Sequence, residues 1–443
     1  MLETFIAFIV ATFAGTVAGI FPGVNVFVTL TVLYPFLITL DPVNIILVYV
    51  VICSMDQYFG SVSGTFFAIP GSMTSIPSVQ EGHALLQNKQ GDKAIMYSAI
   101  GSFIGSMFAV CASLALIQYI DVFYIMFDTR IKAILLTTSL IILSLISKNK
   151  IAINLALMTF GFSLGHVGID LYTNTSFATF GITELSNGLP LLSVVLGIYL
   201  IPYLIKNIQN PKQLDDFDKI TFSGYIQTFK SIYIHKYILI RSSIIGYLSG
   251  FVPGLTFHLG TILSYTFERR KQEKEGTYER GNIQSLLAAE TSNNAGIFSS
   301  LIPLIMIGIP ITASQAMLYD IITNGGIDTS IATFQPMLYV IAIAYTLSAL
   351  LGMYIAGKYV NWISIITRIN TTYMYATIIL VLLLTLLYIG YSVYQPFFYI
   401  AVTLTLLPIG MLTQKYDKIP LIYAFILHDP IYYGILTINA LYF

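Results

Sequence analysis

Gly60-Ser61-Val62-Ser63-Gly64-Thr65-Phe66-Phe67-Ala68-Ile69-Pro70-Gly71-Ser72 interrupts sequence that is otherwise apolar on both sides. A stretch of the same character, Glu290-Thr291-Ser292-Asn293-Asn294-Ala295-Gly296, recurs later, with Pro303 and Gly308-Ile309-Pro310 downstream. Each region makes one net membrane crossing in about 35–40 residues, whereas a straight helix needs about 20. The excess predicts broken or re-entrant helices. Such breaks survive at membrane depth only when buried in protein or lining a cavity. The backbone N–H groups they free attract anions, and the freed carbonyls hold cations.

The rest of the chain supplies the membrane context. Of its 443 residues 56% are hydrophobic and 9% charged, against about 25% charged in a soluble domain. That excludes a soluble enzyme, a disordered chain and a nucleic-acid binder, which needs a basic face for phosphates. Lys+Arg and Asp+Glu both number 21, so the net charge points to no partner. Apolar runs near 4–20, 24–40, 43–58, 94–118, 131–147, 151–169 and 187–205 precede a polar interval. After it come 237–251, 255–267, 283–310, 332–356, 371–389, 396–413 and 419–441. These predict an all-α polytopic membrane protein; an outer-membrane barrel would alternate instead. Cys53 and Cys111 lie in apolar runs and form no disulfide framework. No cleavable signal peptide is expected, because the first run lacks a basic start and a small-residue cleavage site.

The polar interval 206–236 separates a first membrane repeat, 1–205, from a second, 237–443. Ala18-Gly19-Ile20-Phe21-Pro22-Gly23 reads like Ser249-Gly250-Phe251-Val252-Pro253-Gly254, and each precedes an apolar arm and an Ile-Pro stretch. Basic residues mark cytoplasmic loops. The loop 40–44 has none, whereas its counterpart 268–280 carries Arg269, Arg270, Lys271, Lys274 and Arg280. After the Ile-Pro stretches the bias reverses: Lys89 and Lys93 answer the uncharged 323–330, apart from Asp328. Farther on, Lys148 and Lys150 answer 391–396, and Lys415 and Lys418 answer 170–186; the 120–132 loop, with Arg130 and Lys132, departs from the pattern. Equivalent loops on opposite faces predict two inverted-topology repeats with breaks at the midplane. The linker 206–236 is then cytoplasmic and both termini lie outside.

Ser61, Ser63, Thr65, Ser72, Asn293 and Asn294 offer neutral ligands within the two interrupted stretches. Small and hydroxylated residues also let helices pack closely, but their recurrence in both halves favours a central binding site. No Lys or Arg falls in either stretch, so an anionic solute must be held by helix ends, amides and hydroxyls. Ionisable groups at membrane depth are costly and functional by default. Of Asp56, Glu81, Glu290 and Asp320, Glu290 is the expected functional acid. Asp56 reads as a helix-end residue, and Glu81 and Asp320 as interface residues. His166 and His258 read as hydrogen-bonded packing residues rather than proton relays. There is no His-Glu-x-x-His helix and no Walker-type loop, and Gly60-Ser61-Val62-Ser63-Gly64 puts Val where a nucleophile elbow needs Ser. No catalytic residue and no enzymatic activity are expected.

At these stretches the chain resembles the TctA-like permeases, the large membrane subunit of tripartite tricarboxylate transporters. The likeness includes Tyr58-Phe59-Gly60-Ser61-Val62-Ser63, Ile69-Pro70-Gly71-Ser72, Glu81-Gly82, Gly101-Ser102-Phe103-Ile104-Gly105 and Gly168-Ile169-Asp170 with Thr179-Phe180-Gly181. It is most specific at Ala289-Glu290-Thr291-Ser292-Asn293-Asn294-Ala295, Leu301-Ile302-Pro303 and Gly308-Ile309-Pro310. The resemblance implies a solute permease of the cytoplasmic membrane that takes up carboxylates on an ion gradient. It also implies a small membrane subunit and an extracytoplasmic binding protein as partners. The chain departs from the family pattern at Val24-Asn25-Val26, Phe177 and Ile311. These changes point to a smaller or less charged solute, or to a permease without accessory subunits.

The expected protein is therefore a secondary active transporter for di- or tricarboxylates coupled to Na⁺ or H⁺, with a passive channel as the alternative. Gly60, Ser61, Ser63, Thr65, Gly71, Ser72, Asn293, Asn294, Gly308 and Thr312 are the expected solute ligands. Glu290 with Asn293 and Asn294 is the expected coupling-ion site, for Na⁺ or a proton. No other cofactor is expected, and the bilayer and a small solute are the expected partners, with nucleic acid excluded.

Overall fold

The computed structural model describes residues 2–21, 24–67, 73–116, 119, 129–146, 149–170, 173, 175–209, 225–252, 256–307, 310–324, 331–359, 371–392, 395 and 397–442. Long apolar runs without internal breakers fold as helices in almost every place the hydropathy indicates. In the first half these are α1 (Leu2–Ile20), α2 (Val26–Leu37), α3 (Pro42–Phe67), the short α4 (His83–Gln87), α5 (Gly91–Leu116), α6 (Thr129–Ile146) and α7 (Ile151–Gly165). A two-residue antiparallel pairing of Gly168–Ile169 with Ser176–Phe177 follows, then α8 (Leu191–Val195), a π-helical turn (Leu196–Leu200) and α9 (Ile201–Gln209). The second half holds α10 (Tyr225–Ile232), α11 (Lys236–Ser249), α12 (Thr256–Glu275), α13 (Ile283–Ile307), α14 (Ala313–Asn324) and α15 (Ile331–Lys358). It ends with α16 (Thr371–Ser392), α17 (Phe398–Leu412), α18 (Ile419–Ile426) and α19 (His428–Tyr442). Among the described residues, Leu2–Ile20, Pro42–Phe66, Gly91–Leu116 and Met337–Lys358 are each long and apolar enough to cross a bilayer, and α18 with α19 forms a bent pair. The chain is a multi-pass membrane protein.

Two expectations need correction. Gly60 to Thr65 do not unwind; α3 runs through them to Phe67. Glu290 to Gly296 likewise lie inside α13, which continues past Pro303 to Ile307. Their small side chains serve helix packing, so their backbone amides are spent within the helices. α3 is described to Phe67 and α13 to Ile307, and Ala68-Ile69-Pro70-Gly71 and Gly308-Ile309 lie outside the described residues.

The chain divides into two compact units, each assembled from both halves of the sequence. The first comprises Met1–Leu30, Ile38–Ile125 and Leu214–Arg368; the second comprises Thr31–Leu37, Met126–Gln213 and Ile369–Phe443. In the second unit, α7 packs on α18, α6 on α19, and the π-helical turn on α17. Buried Lys418 there donates to the carbonyls of Ile198 (2.8 Å) and Gly410 (2.5 Å). His166 bonds to His428 at 3.1 Å.

In the first unit α13 is the central helix, packed against α5, α11 and α12, while α1 and α15 flank α3. Lipid gives helices no hydrophobic reason to associate, so close approach of small residues does the work. A Cβ at Gly105 of α5 would stand 2.1 Å from the Thr291 carbonyl, and one at Gly246 of α11 would stand 2.1 Å from that of Ser292. The residues after Glu290 are thus gripped from two sides at backbone contact. Gly105→Ala should lower stability by about 1–3 kcal/mol, read as a lower thermal midpoint in detergent. Gly60→Ala should cost much less, because its nearest neighbour would be the mobile end of Ser75 at 3.2 Å.

Candidate functional site

Glu290 lies about two turns into α13 and is 2% exposed. Hydroxyls from three other segments reach its carboxylate. Ser61 of α3 stands 2.7 Å from both oxygens, Ser78 donates to Oε1 at 2.5 Å, and Ser102 of α5 donates to Oε2 at 3.3 Å. Neither Glu290 nor Asp56 forms an ion pair among the described residues. Ser61 has a second acceptor, the Gln57 carbonyl at 3.1 Å. When Glu290 carries a proton, Ser61 can accept it and turn its own hydrogen to that carbonyl, so the cage suits either charge state.

A second link joins the same helices. Gln57 Oε1 accepts from Asn293 Nδ2 at 2.7 Å and from Thr74 Oγ1 at 2.9 Å, while its Nε2 donates to Asp56 Oδ2 at 2.8 Å. The contacts Gln57–Asn293 and Ser61–Glu290 run in opposite chain order, so α3 and α13 cross antiparallel here. Asp56 sits well inside α3 and is 7% exposed, not at a helix end. Several buried oxygens around this network lack a hydrogen-bond partner among the described residues: Thr65 Oγ1, Thr291 Oγ1, Asn293 Oδ1 and Asn294 Oδ1. Unpaired buried polar atoms cost free energy and call for a ligand or water.

The other expected ligands separate. Ser63 faces α1 and donates to the Gly19 carbonyl at 3.0 Å. Gly60 is helical beside Ser75. Asn294 donates weakly to the Glu290 carbonyl (3.3 Å), and its own carbonyl accepts from Tyr345 at 2.9 Å. Thr312 caps α14 by accepting from the Gln315 amide at 3.1 Å, and buried Ile311 donates its amide to Gln315 Oε1 at 3.0 Å. Gly71, Ser72 and Gly308 lie outside the described residues. Gln57, Thr74 and Ser78 were not among the expected ligands. Ser78 belongs to a π-helical turn, Ser78–Gly82, and such turns concentrate at functional sites.

Glu81 in that turn is fully buried. Its Oε1 accepts from Tyr265 (2.8 Å) and Tyr278 (2.7 Å), and its Oε2 from the amides of Gly281 and Asn282 (2.9 Å each). It thereby caps α13 with a carboxylate supplied from the first half of the chain. Glu81→Ala should destabilise the protein by about 3 kcal/mol, since four donors, the buried Tyr265 and the half-buried Tyr278, Gly281 and Asn282, lose their acceptor. Ser78→Ala removes one donor of three and should cost about 1 kcal/mol. Thermal midpoints in detergent order the two.

A family model described as the tripartite tricarboxylate transporter TctA family matches residues 5–423. An uncharacterized 52.8 kDa protein in the TAR-I ttuC' 3' region of Agrobacterium vitis is 25% identical over 365 residues, covering 80% of this chain and 72% of that protein. An uncharacterized protein of Methanocaldococcus jannaschii is 25% identical over 415 residues, covering 92% of each. No solved structure matches. With the family model spanning nearly all of its length, the chain belongs to the TctA family of tripartite tricarboxylate transporters.

Proposed function

We propose that the protein is a secondary active transporter for small organic anions, di- or tricarboxylates, driven by Na⁺ or H⁺. The observation that carries this reading is the buried Glu290 carboxylate, caged by Ser61, Ser78 and Ser102 with no basic partner among the described residues. Several kcal/mol stand against an uncompensated charge in such a place. A cation that neutralises it therefore changes the energy of the whole helix contact. Glu290 takes the coupling ion, and Asn294 brings beside it an amide oxygen without a partner among the described residues.

The amides of residues 60–65 are used within α3, so the solute carboxylate falls to the Ile-Pro segments. Gly71, Ser72, Gly308 and Thr312 are its ligands there, together with the N-terminal end of α14. Two inverted repeats account for units that each draw on both halves of the chain. A small membrane subunit and an extracytoplasmic binding protein are the partners, in the cytoplasmic membrane with the 206–236 linker inside.

Uptake of radioactive citrate, tartrate and succinate into proteoliposomes tests the reading. A Na⁺ or pH gradient should drive at least one of them to accumulate above the external concentration. Glu290→Gln should abolish the gradient-driven part while leaving the protein monodisperse. Equilibration without accumulation identifies a passive channel, and accumulation that survives Glu290→Gln removes the coupling role from this residue.

A further inference from the structure

Asp56 is the second acid buried in the same helix contact, and its environment differs from that of Glu290. An ionised carboxylate has about four lone-pair sites. Glu290 meets three hydroxyl donors, whereas Asp56 accepts a single hydrogen bond, from Gln57 Nε2 at 2.8 Å. The remaining acceptor capacity of Asp56 faces no donor among the described residues. One hydrogen bond away, Gln57 Oε1 holds Asn293 Nδ2, which fixes the Asn293 amide. The other end of that amide, Oδ1, is buried and has no partner among the described residues, although Asn293 is only 2% exposed. An under-satisfied carboxylate and an under-satisfied amide oxygen therefore share one hydrogen-bonded network. Both are acceptors, so what is missing is positive.

No described residue supplies it. The basic groups on elements packed against α3 lie elsewhere: Lys93 and Lys358 are exposed, and His83 is bonded to the Thr65 carbonyl at 2.9 Å. The ionisable neighbours of this part of α3 are Tyr49, Cys53, Tyr345 and Glu290, all acids. Burying an isolated carboxylate in low dielectric costs several kcal/mol. Unlike Glu290, Asp56 has too few donors to offset that cost by hydrogen bonds.

We propose that Asp56 and the Asn293 side-chain oxygen form a second monovalent-cation site, separate from Glu290, which takes Na⁺ or a proton. Na⁺ would be shared by the carboxylate and the amide oxygen, whereas a proton would sit on Asp56 alone. The proposal rests on the ion-coupled transport reading and extends it: each cycle then carries more than one positive charge with the solute. Gln57 is a positioning residue, since it orients both groups and touches the cation in neither case.

Equilibrium binding of radioactive Na⁺ to the purified full-length chain in lipid nanodiscs, without solute, counts the sites. Infrared difference spectra of the same samples report protonated carboxyl groups. The unsubstituted protein should hold about two positive charges per chain as Na⁺ or as protonated carboxyls. Asp56→Asn should hold one fewer, losing either one Na⁺ or one carboxyl band, and Asp56→Glu should restore it. Asn293→Leu should weaken Na⁺ binding about tenfold if Na⁺ is the occupant, and should leave a protonated Asp56 band in place if the proton is. An Asp56→Asn protein with unchanged Na⁺ stoichiometry and an unchanged carboxyl band overturns the second site. If Asp56→Asn cannot be purified monodisperse, Asn293→Leu with unchanged Na⁺ binding and no Asp56 carboxyl band does the same. Gradient-driven citrate uptake with either of these results leaves the transport reading standing. A lost Asp56 cation with no uptake of any solute leaves the site standing without that reading.

Discussion

Glu290 lies inside a helix that four others enclose, and keeping its carboxylate there requires compensation worth several kcal/mol. The compensation comes from serines on separate segments, Ser61 on α3, Ser78 in the π-helical turn and Ser102 on α5. Each hydroxyl reaches the acid only because the backbones come very close. Gly105 and Gly246 abut the carbonyls of Thr291 and Ser292, the two residues that follow it. Cage and glycine contacts therefore depend on each other: widening either crossing pulls hydroxyls away from the carboxylate. Close packing in lipid here serves to keep polar groups within hydrogen-bond reach.

Much of this architecture is legible from the residues. Continuous apolar runs locate nearly all the helices, because a segment that must satisfy its backbone in lipid has little choice but to be helical. Glu290 stands out for the same reason, being an ionisable residue in such a run. Glycine and serine mislead between residues 60 and 65. They read equally as an unwound segment or as a closely packed helix, and the partners that decide, Gly19, Ser75 and Glu290, are remote in sequence. Asp56 looks like a helix end only until α3 is seen to run on to Phe67. Gln57 carries no sequence signal at all; its importance comes from crossing Asn293.

The antiparallel crossing of α3 and α13 uses matched spacings. Gln57 and Ser61 lie four residues apart on one face, and Glu290 and Asn293 lie three apart on the other, so both pairs meet at once. A shift of α3 by one residue would break both contacts, cost Glu290 one of its hydroxyls and leave both ends of the Asn293 amide unpaired. Such a register penalty is steep, because each orphaned group costs about 1–3 kcal/mol. The polar pairs thus fix how the helices cross, while the small residues around them fix how closely.

The π-helical turn at 78–82 connects this crossing to the rest of the first unit. It is held to α13 at two points of different kind. Glu81 caps the start of the helix through four donors whose bonds do not involve Glu290. Ser78 donates to Glu290 itself, so the strength of that bond depends on whether the carboxylate is charged, protonated or shared with a cation. Charge at Glu290 consequently changes one anchor of the turn and leaves the other unaltered. The 3₁₀ turn Met73–Ser75 stands just upstream of it in the chain.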